Sequence, residues 1–289
     1  MKRPTKPVNS NALLASLKIV NTILNKDGAI YESHCRLQDG WLTAQTQVLG
    51  IGEKIQEDLF ACPNAHTLEA ALSKCGQSIS ITQLDQKLSI KSDKFRALVP
   101  CIPPENLPRS FLDASVAQLD DRLKASLAAV APLALDENSV VTASVLLRNG
   151  TVTATDRKVI IQAWHGIDLP ELALPKAVIN PLIKNPKKLK GFGFSASSVT
   201  FHFEDDSWLK CQMMADKWPD VNRILDRPCN AWPLPESFYE AVKALEPFSE
   251  DGFVHFDGNK MLSHPEESKG ASFEIQDRKS TRLNSSHRL

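Results

Sequence analysis

The residues best suited to chemistry are carboxylates. The run Glu204-Asp205-Asp206, taken with Asp156, offers grouped oxygens of the kind that hold a divalent cation in metal-dependent nucleases. The run lies between two strand-like segments, however, where a solvated hairpin turn uses the same residue types. Gly191-Phe192-Gly193 looks like the opening of a dinucleotide loop. It follows a helix and opens a strand, the reverse of the order that aims helix amides at a phosphate. There is no Walker A loop, no Gly-x-Ser-x-Gly elbow and no His-Glu-x-x-His motif. The seven histidines are scattered, and His202, between Phe201 and Phe203, is expected on the solvent face of a strand. The six cysteines form no Cys-x-x-Cys pair and no zinc spacing with histidine, which points to buried reduced thiols. These features predict no catalytic residue, no metal and no cofactor.

Charge is distributed more informatively. The chain of 289 residues carries 34 Lys and Arg against 34 Asp and Glu, with 42% hydrophobic and 24% charged residues. That excludes disorder, collagen and a disulfide-stapled miniprotein, and the length suggests about two domains. No stretch approaches the roughly 20 apolar residues of a membrane span, and Met1–Pro7 leads into an amphipathic segment rather than a signal-peptide core. A cytoplasmic protein is expected. Against this neutral background, Lys176, Lys184, Lys187, Lys188 and Lys190 fall in a segment, 175–191, that contains no acid. Lys18, Lys26, Lys74, Arg122, Lys124 and Lys243 lie on or at the ends of other predicted helices. Lysines without interleaved aromatics suit phosphate contacts that ignore base identity, and do not suit stacking on single strands.

The elements that carry these residues recur. Helical spacing predicts a first helix capped by Ser10 (Leu13, Leu14, Leu17, Val20, Leu24) and a second capped by Asn64 (Leu68, Leu72). A third is expected from Asp113, with Val116, Leu119, Leu123, Leu127 and Val130 as its stripe. A fourth opens at Pro175 (Val178, Ile179, Leu182, Ile183) and is kinked or shortened by Pro181. A fifth opens at Pro235 (Phe238, Val242, Leu245). Between them the period becomes two, as in Ser78–Thr82, Lys87–Lys91 and Val199–Phe203, which reads as half-buried strands. Asp27-Gly28, Asp39-Gly40, Asn149-Gly150 and Asp257-Gly258 supply turns. The chain therefore reads as an α+β protein in which one helix followed by about three antiparallel strands is used repeatedly.

Pro-rich links at Pro100–Pro108 and Pro219–Pro233 divide the chain into domains at 1–110 and 111–230, with a partial third at 231–276. Residues 277–289 are set aside, because Asp277–His287 matches one reading frame of a common sequencing-library adapter. Without that tail, which is rich in Lys and Arg, the remainder is slightly acidic.

With the repeat and the lysine-rich helix established, the chain resembles the bacterial DNA polymerase III β subunit, the replicative sliding clamp. Three blocks carry the similarity: Val152-Thr153-Ala154-Thr155-Asp156-Arg157, Leu174-Pro175-Lys176-Ala177-Val178, and Asp216-Lys217-Trp218-Pro219-Asp220-Val221-Asn222-Arg223-Ile224-Leu225. Weaker similarity, as at Leu59-Phe60-Ala61-Cys62-Pro63 and over 231–275, extends it to everything before the tail. The resemblance implies the DNA clamp fold, with two complete domains and a partial third. It also implies a head-to-tail homodimer of the full-length protein, closed around double-stranded DNA without reading its sequence.

On this reading Lys18, Lys26, Lys74, Arg122, Lys124, Lys184, Lys187, Lys188, Lys190 and Lys243 face DNA. The family's groove for polymerase and clamp-loader peptides maps onto Thr155, Lys158, Ile160, Pro219, Arg223 and Ile224. Where the family has Gly-His-Arg after the aspartate, this chain has Arg157-Lys158-Val159, and Trp218 replaces a phenylalanine, which marks a divergent member from a bacterium or a phage. The competing readings are a metal-dependent nuclease using Asp156, Glu204, Asp205 and Asp206, and a clamp-fold scaffold that binds peptides without encircling DNA.

Overall fold

The computed structural model describes residues 8–57, 59–135, 139–214, 217–226, 228, 234–250, 252–257 and 259–275. Of the residues singled out above, Met1–Pro7, Asp216, Cys229, Pro233, Gly258 and the 277–289 tail lie outside them. The chain forms two compact units, one up to Val221 and one from Asn222.

The first unit begins β1 (Val8–Asn9), α1 (Ser10–Val20), β2 (Arg36–Gln38), β3 (Trp41–Gln45) and β4 (Leu49–Lys54). It continues with α2 (Ala65–Leu72), β5 (Ser78–Leu84), β6 (Lys87–Ser92) and β7 (Phe95–Pro100). The pattern then returns as β8 (Ser115–Gln118), α3 (Arg122–Val130), β9 (Ser144–Arg148), β10 (Thr151–Thr155) and β11 (Ile160–Trp164). Last come β12 (Leu172–Pro175), α4 (Lys176–Lys184), β13 (Leu189–Phe194), β14 (Ser198–Phe203) and β15 (Trp208–Gln212). Each helix is thus followed by three antiparallel strands. The second unit repeats the theme with α5 (Asn222–Leu225), α6 (Phe238–Leu245), β16 (His255–Asp257), β17 (Lys260–Leu262) and β18 (Ser272–Glu274).

Leading strands cross between repeats: β1 pairs with β5, β8 with β13, and β12 with β9. The sheets of the first unit are β1-β5-β6-β7, β11-β10-β9-β12 and a seven-stranded sheet, β2-β3-β4-β15-β14-β13-β8. The last is continuous across the Pro-rich link, because β4 pairs with β15 through Trp208↔Gly52 and Lys210↔Gly50.

Local chemistry explains most boundaries. The Asn64 side chain accepts from the Thr67 N–H at 2.9 Å and caps α2 as the sequence predicts. At α1 the cap is Asn9, one residue before the expected Ser10; its side chain accepts from the Asn11 and Ala12 N–H groups at 3.1 and 3.3 Å. Asp39-Gly40 turns β2 into β3 with φ of 52° and 74°, and Gly150 turns β9 into β10 at 76°. Pro181 leaves α4 intact but short, ending one turn later at Lys184.

Two expectations are corrected. The third helix starts at Arg122, not near Asp113, and Ser115–Gln118 is instead strand β8 on β13. Asp113 is drawn to β14, accepting from Ser198 and Thr200 hydroxyls at 3.0 and 2.8 Å. Strand β14 is buried on both faces apart from the half-buried His202, whose Nε2 lies 3.0 Å from the Asp113 carbonyl rather than in solvent.

A single apolar core runs through the first unit, joining Leu13 and Leu17 of α1, Leu68 of α2, Leu127 of α3, Ile179 of α4, and Phe192 and Phe201 of the large sheet. The second unit has its own smaller core of Ala241, Leu245, Met261 and Ile275. In the large sheet, Leu42, Ile51, Leu209 and Phe201 point to the helices, while Thr43, Gly52, Trp208 and Lys210 occupy the other face. Gly52 is required there: a Cβ would lie 2.3 Å from the Trp208 indole. Gly52→Val is therefore expected to cost about 2 kcal/mol by overpacking, read as a lower denaturation midpoint at unchanged slope.

Candidate nucleic-acid interface

The helices pack in pairs, α1 with α2 and α3 with α4, and α1 lies on β3 and β4. From α3, the Lys124 ammonium sits 5.5 Å from the ring centre of Phe203, on the core-facing side of β14. Both helix pairs therefore flank the same side of the large sheet, and the link Ser110–Asp113 crosses the other side. Ser110 Oγ bonds Gln45 at 2.9 Å, and Lys210 reaches the Phe111 carbonyl and Asp113.

The predicted lysines separate into two classes. Lys18 in the last turn of α1, Lys26 beyond it, Lys74 just past α2, Lys184 at the end of α4, and Lys188 are exposed. They have no ion-pair partner among the described residues. Lys18 and Lys184 lie where the helix dipole favours a cation. Lys243, on α6 of the second unit, is also exposed and unpaired.

The remaining positions are engaged within the protein. Lys124 donates to the carbonyl of Asn185 at 2.9 Å and to that of Lys187, with Asp121 at 3.6 Å. Burial lowers its pKa. Lys187 binds Glu53, Asp205 at 2.5 Å and Ser207 at 3.2 Å. Glu53 is only 1% exposed, and its pKa is raised by that burial, with Lys187 opposing the rise. Burial would likewise raise Asp205, but its bonds to Lys187 and Ser207 win and hold it low. Arg122 is chelated by Asp120, with Nε–O distances of 3.0 Å, and Lys190 lies 3.4 Å from Asp206 on the surface.

The acidic run is the β14–β15 turn, with Asp206 at φ 66°. Its aspartates are met by lysines, Asp205 by Lys187 and Asp206 by Lys54 at 2.6 Å. Asp156 accepts from the Lys158 and Val159 N–H groups of its own turn at 2.9 and 2.7 Å. Among the described residues, no three His, Cys, Asp or Glu side chains gather into a metal-holding set. The five described cysteines are free thiols; Cys35, Cys62 and Cys211 are buried as expected, Cys75 and Cys101 are only half-buried, and burial raises Cys101 to about 11 and Cys211 to about 12. No helix among the described residues is long and apolar enough to cross a membrane.

No family model matches the chain, and no curated protein resembles it in sequence. Solved structures do resemble it. The Helicobacter pylori β clamp in complex with 3,4-difluorobenzamide superposes with a TM-score of 0.81 at 18% identity, over 99% of this chain and 87% of that one. The same clamp bound to a DNA ligase peptide gives 0.80 at 17% identity, over 99% and 87%. The Pseudomonas aeruginosa DnaN sliding clamp bound to griselimycin gives 0.74 at 14%, over 94% and 83%.

The chain has the fold of the bacterial β sliding clamp.

Within this clamp fold, the residues predicted to form the peptide groove do not all fall in one unit. Thr155, Lys158 and Ile160 share the β10–β11 hairpin, where Thr155 pairs with Ile160 and its hydroxyl donates to the Val159 carbonyl at 2.6 Å. Arg157 there adopts φ 74°, the conformation glycine tolerates best, which accounts for the glycine this turn carries in the sliding-clamp family. Pro219 is exposed beside Trp218, which is buried with its indole N–H on Ser144 at 2.9 Å. Arg223 and Ile224 belong to α5 in the second unit, where Ile224 is exposed. Sequence reasoning missed the apolar residues this hairpin exposes, Val159, Ile161 and Trp164, because alternation on a strand does not distinguish an edge from a core.

His165, which follows β11, is fully buried. Its Nδ1 accepts from the Ile167 N–H at 3.1 Å. Burial lowers its pKa, and hydrogen bonding to the backbone of Thr151 and Arg148 opposes the fall without cancelling it. The native state therefore holds it neutral, whereas the unfolded chain takes up a proton near 6.5. Stability is complete above that value and falls as the pH drops below it. His66, also lowered by burial, adds to the same window. His165→Leu is expected to flatten the dependence of the denaturation midpoint between about pH 7 and 5.

Proposed function

We propose that this protein is a DNA sliding clamp: a non-catalytic, ring-forming processivity factor that tethers DNA polymerase to duplex DNA in the cytoplasm. The observation that carries the reading is the repeated clamp architecture, with unpaired lysines on the helices that flank one side of its continuous sheet. A ring needs no tight grip, because weak phosphate contacts let it slide while the tethered enzyme stays at high local concentration.

Lys18, Lys26, Lys74, Lys184, Lys188 and Lys243 are assigned to DNA, with Arg122 and Lys190 contributing charge that Asp120 and Asp206 largely offset. The sequence groups Lys124 and Lys187 with them, but the internal contacts of both ammonium groups support a structural role. Thr155, Lys158, Ile160, Pro219, Arg223 and Ile224 are proposed to receive polymerase and clamp-loader peptides. Residues 1–110 and 111–230 are proposed as the first and central clamp domains and 231–276 as a partial third, with the full-length protein forming a head-to-tail homodimer.

Fluorescence anisotropy with two duplexes of equal length and unrelated sequence tests the assignment. Equal affinities that fall steeply with salt, without magnesium-dependent cleavage, are expected. A strong sequence preference, or nucleolysis abolished by alanine at Asp205 and Asp206, would return the nuclease reading.

A further inference from the structure

On the face of the large sheet opposite the helices, a cavity of about 400 Å³ opens between β2–β3 and the interdomain link. Its lining includes Trp41, Thr43 and Gln45 of β3, Trp208 of β15 and Arg109 of the link. The space is a consequence of sequence, since Gly50 and Gly52 leave room for Ser110 and the Trp208 indole. Arg36 also lines it. That guanidinium is buried, yet its donors go to the carbonyls of Pro104 and Leu107 at 2.8 and 2.7 Å and the amide oxygen of Gln38 at 3.4 Å. No carboxylate among the described residues pairs with Arg36, and none pairs with Arg109. The lining carboxylate, Asp39, instead accepts from Gln38 at 3.0 Å.

A buried cation without a counter-ion is costly unless an anion completes it. Guanidinium groups recognise carboxylates through paired N–H donors, and indole walls favour a flat apolar body. The volume is at the small end of ligand cavities. We propose that this cavity is a binding site for a small aromatic carboxylate, its ring against Trp41 and Trp208 and its carboxylate held by Arg109 with the Arg36 charge behind it. The site lies on the opposite face of the large sheet from α1, α2, α3 and α4, and the proposal does not rest on the clamp reading.

The test is titration of the 289-residue chain with naphthoate, followed by the indole N–H signals of its five tryptophans. Saturable binding that shifts the Trp41 and Trp208 signals is expected. Naphthamide, which lacks the charge, and Arg109→Glu, at an exposed position that leaves the fold intact, should each weaken binding about tenfold or more. Absence of saturation at about 10 mM, equal binding by Arg109→Glu, or shifts confined to other tryptophans would overturn the proposal.

Discussion

Lys187→Met is expected to destabilise the protein by about 3 kcal/mol at neutral pH, far more than Lys184→Met, three residues away, which should stay within about 0.5 kcal/mol. Lys184 is exposed without an ion-pair partner among the described residues, whereas Lys187 neutralises Glu53 at the seam where β4 meets β15. Removing the ammonium leaves a carboxylate that is 1% exposed with no cation beside it.

That origin has a pH signature. Burial already raises the Glu53 pKa above its ordinary 4.5, and loss of Lys187 raises it further. A carboxyl raised in the folded state contributes most when protonated, so the variant should regain stability as pH falls towards 4.5. The double variant Glu53→Gln/Lys187→Met removes both charges and should recover much of the loss. Denaturation midpoints at pH 7 and 5 decide the matter: equal effects of Lys187→Met and Lys184→Met would show that the ion pair does not hold this seam.

For DNA, Lys184→Glu/Lys188→Glu is expected to weaken duplex binding ten- to a hundredfold and to reduce the salt slope by about 2, uniformly across sequences, with the denaturation midpoint unchanged. Both side chains are exposed and have no ion-pair partner among the described residues, so the fold depends little on them. Anisotropy titrations over a salt series give both quantities. An unchanged slope would remove this end of α4 from the interface.

The repeat was legible in the sequence because its signals are local: a capping Asn64, the Asp39-Gly40 turn, and alternation in Ser78–Thr82 and Lys87–Lys91. The misplaced start of α3 shows where locality fails. Val116 and Leu119 have helical spacing with Leu123, yet Asp113 is captured by Ser198, Thr200 and Lys210, and the following residues pair with β13.

The lysine-rich segment was visible as charge, but not as two populations. Lys187 meets Glu53 across 134 positions, and Lys124 meets the Asn185 carbonyl across 61, so neither partner can be found by spacing. The cavity around Arg36 was equally hidden, since its walls come from a hairpin, a link and a strand far apart in the chain.

The most direct test of the central claim is lysine acylation with and without duplex DNA, read residue by residue by mass spectrometry. The account predicts that DNA protects Lys18, Lys26, Lys74, Lys184 and Lys188, that Lys87, Lys91 and Lys94 of the β6–β7 hairpin stay reactive, and that Lys187 reacts poorly in both states. Protection of the hairpin lysines with the helix lysines left reactive would contradict it.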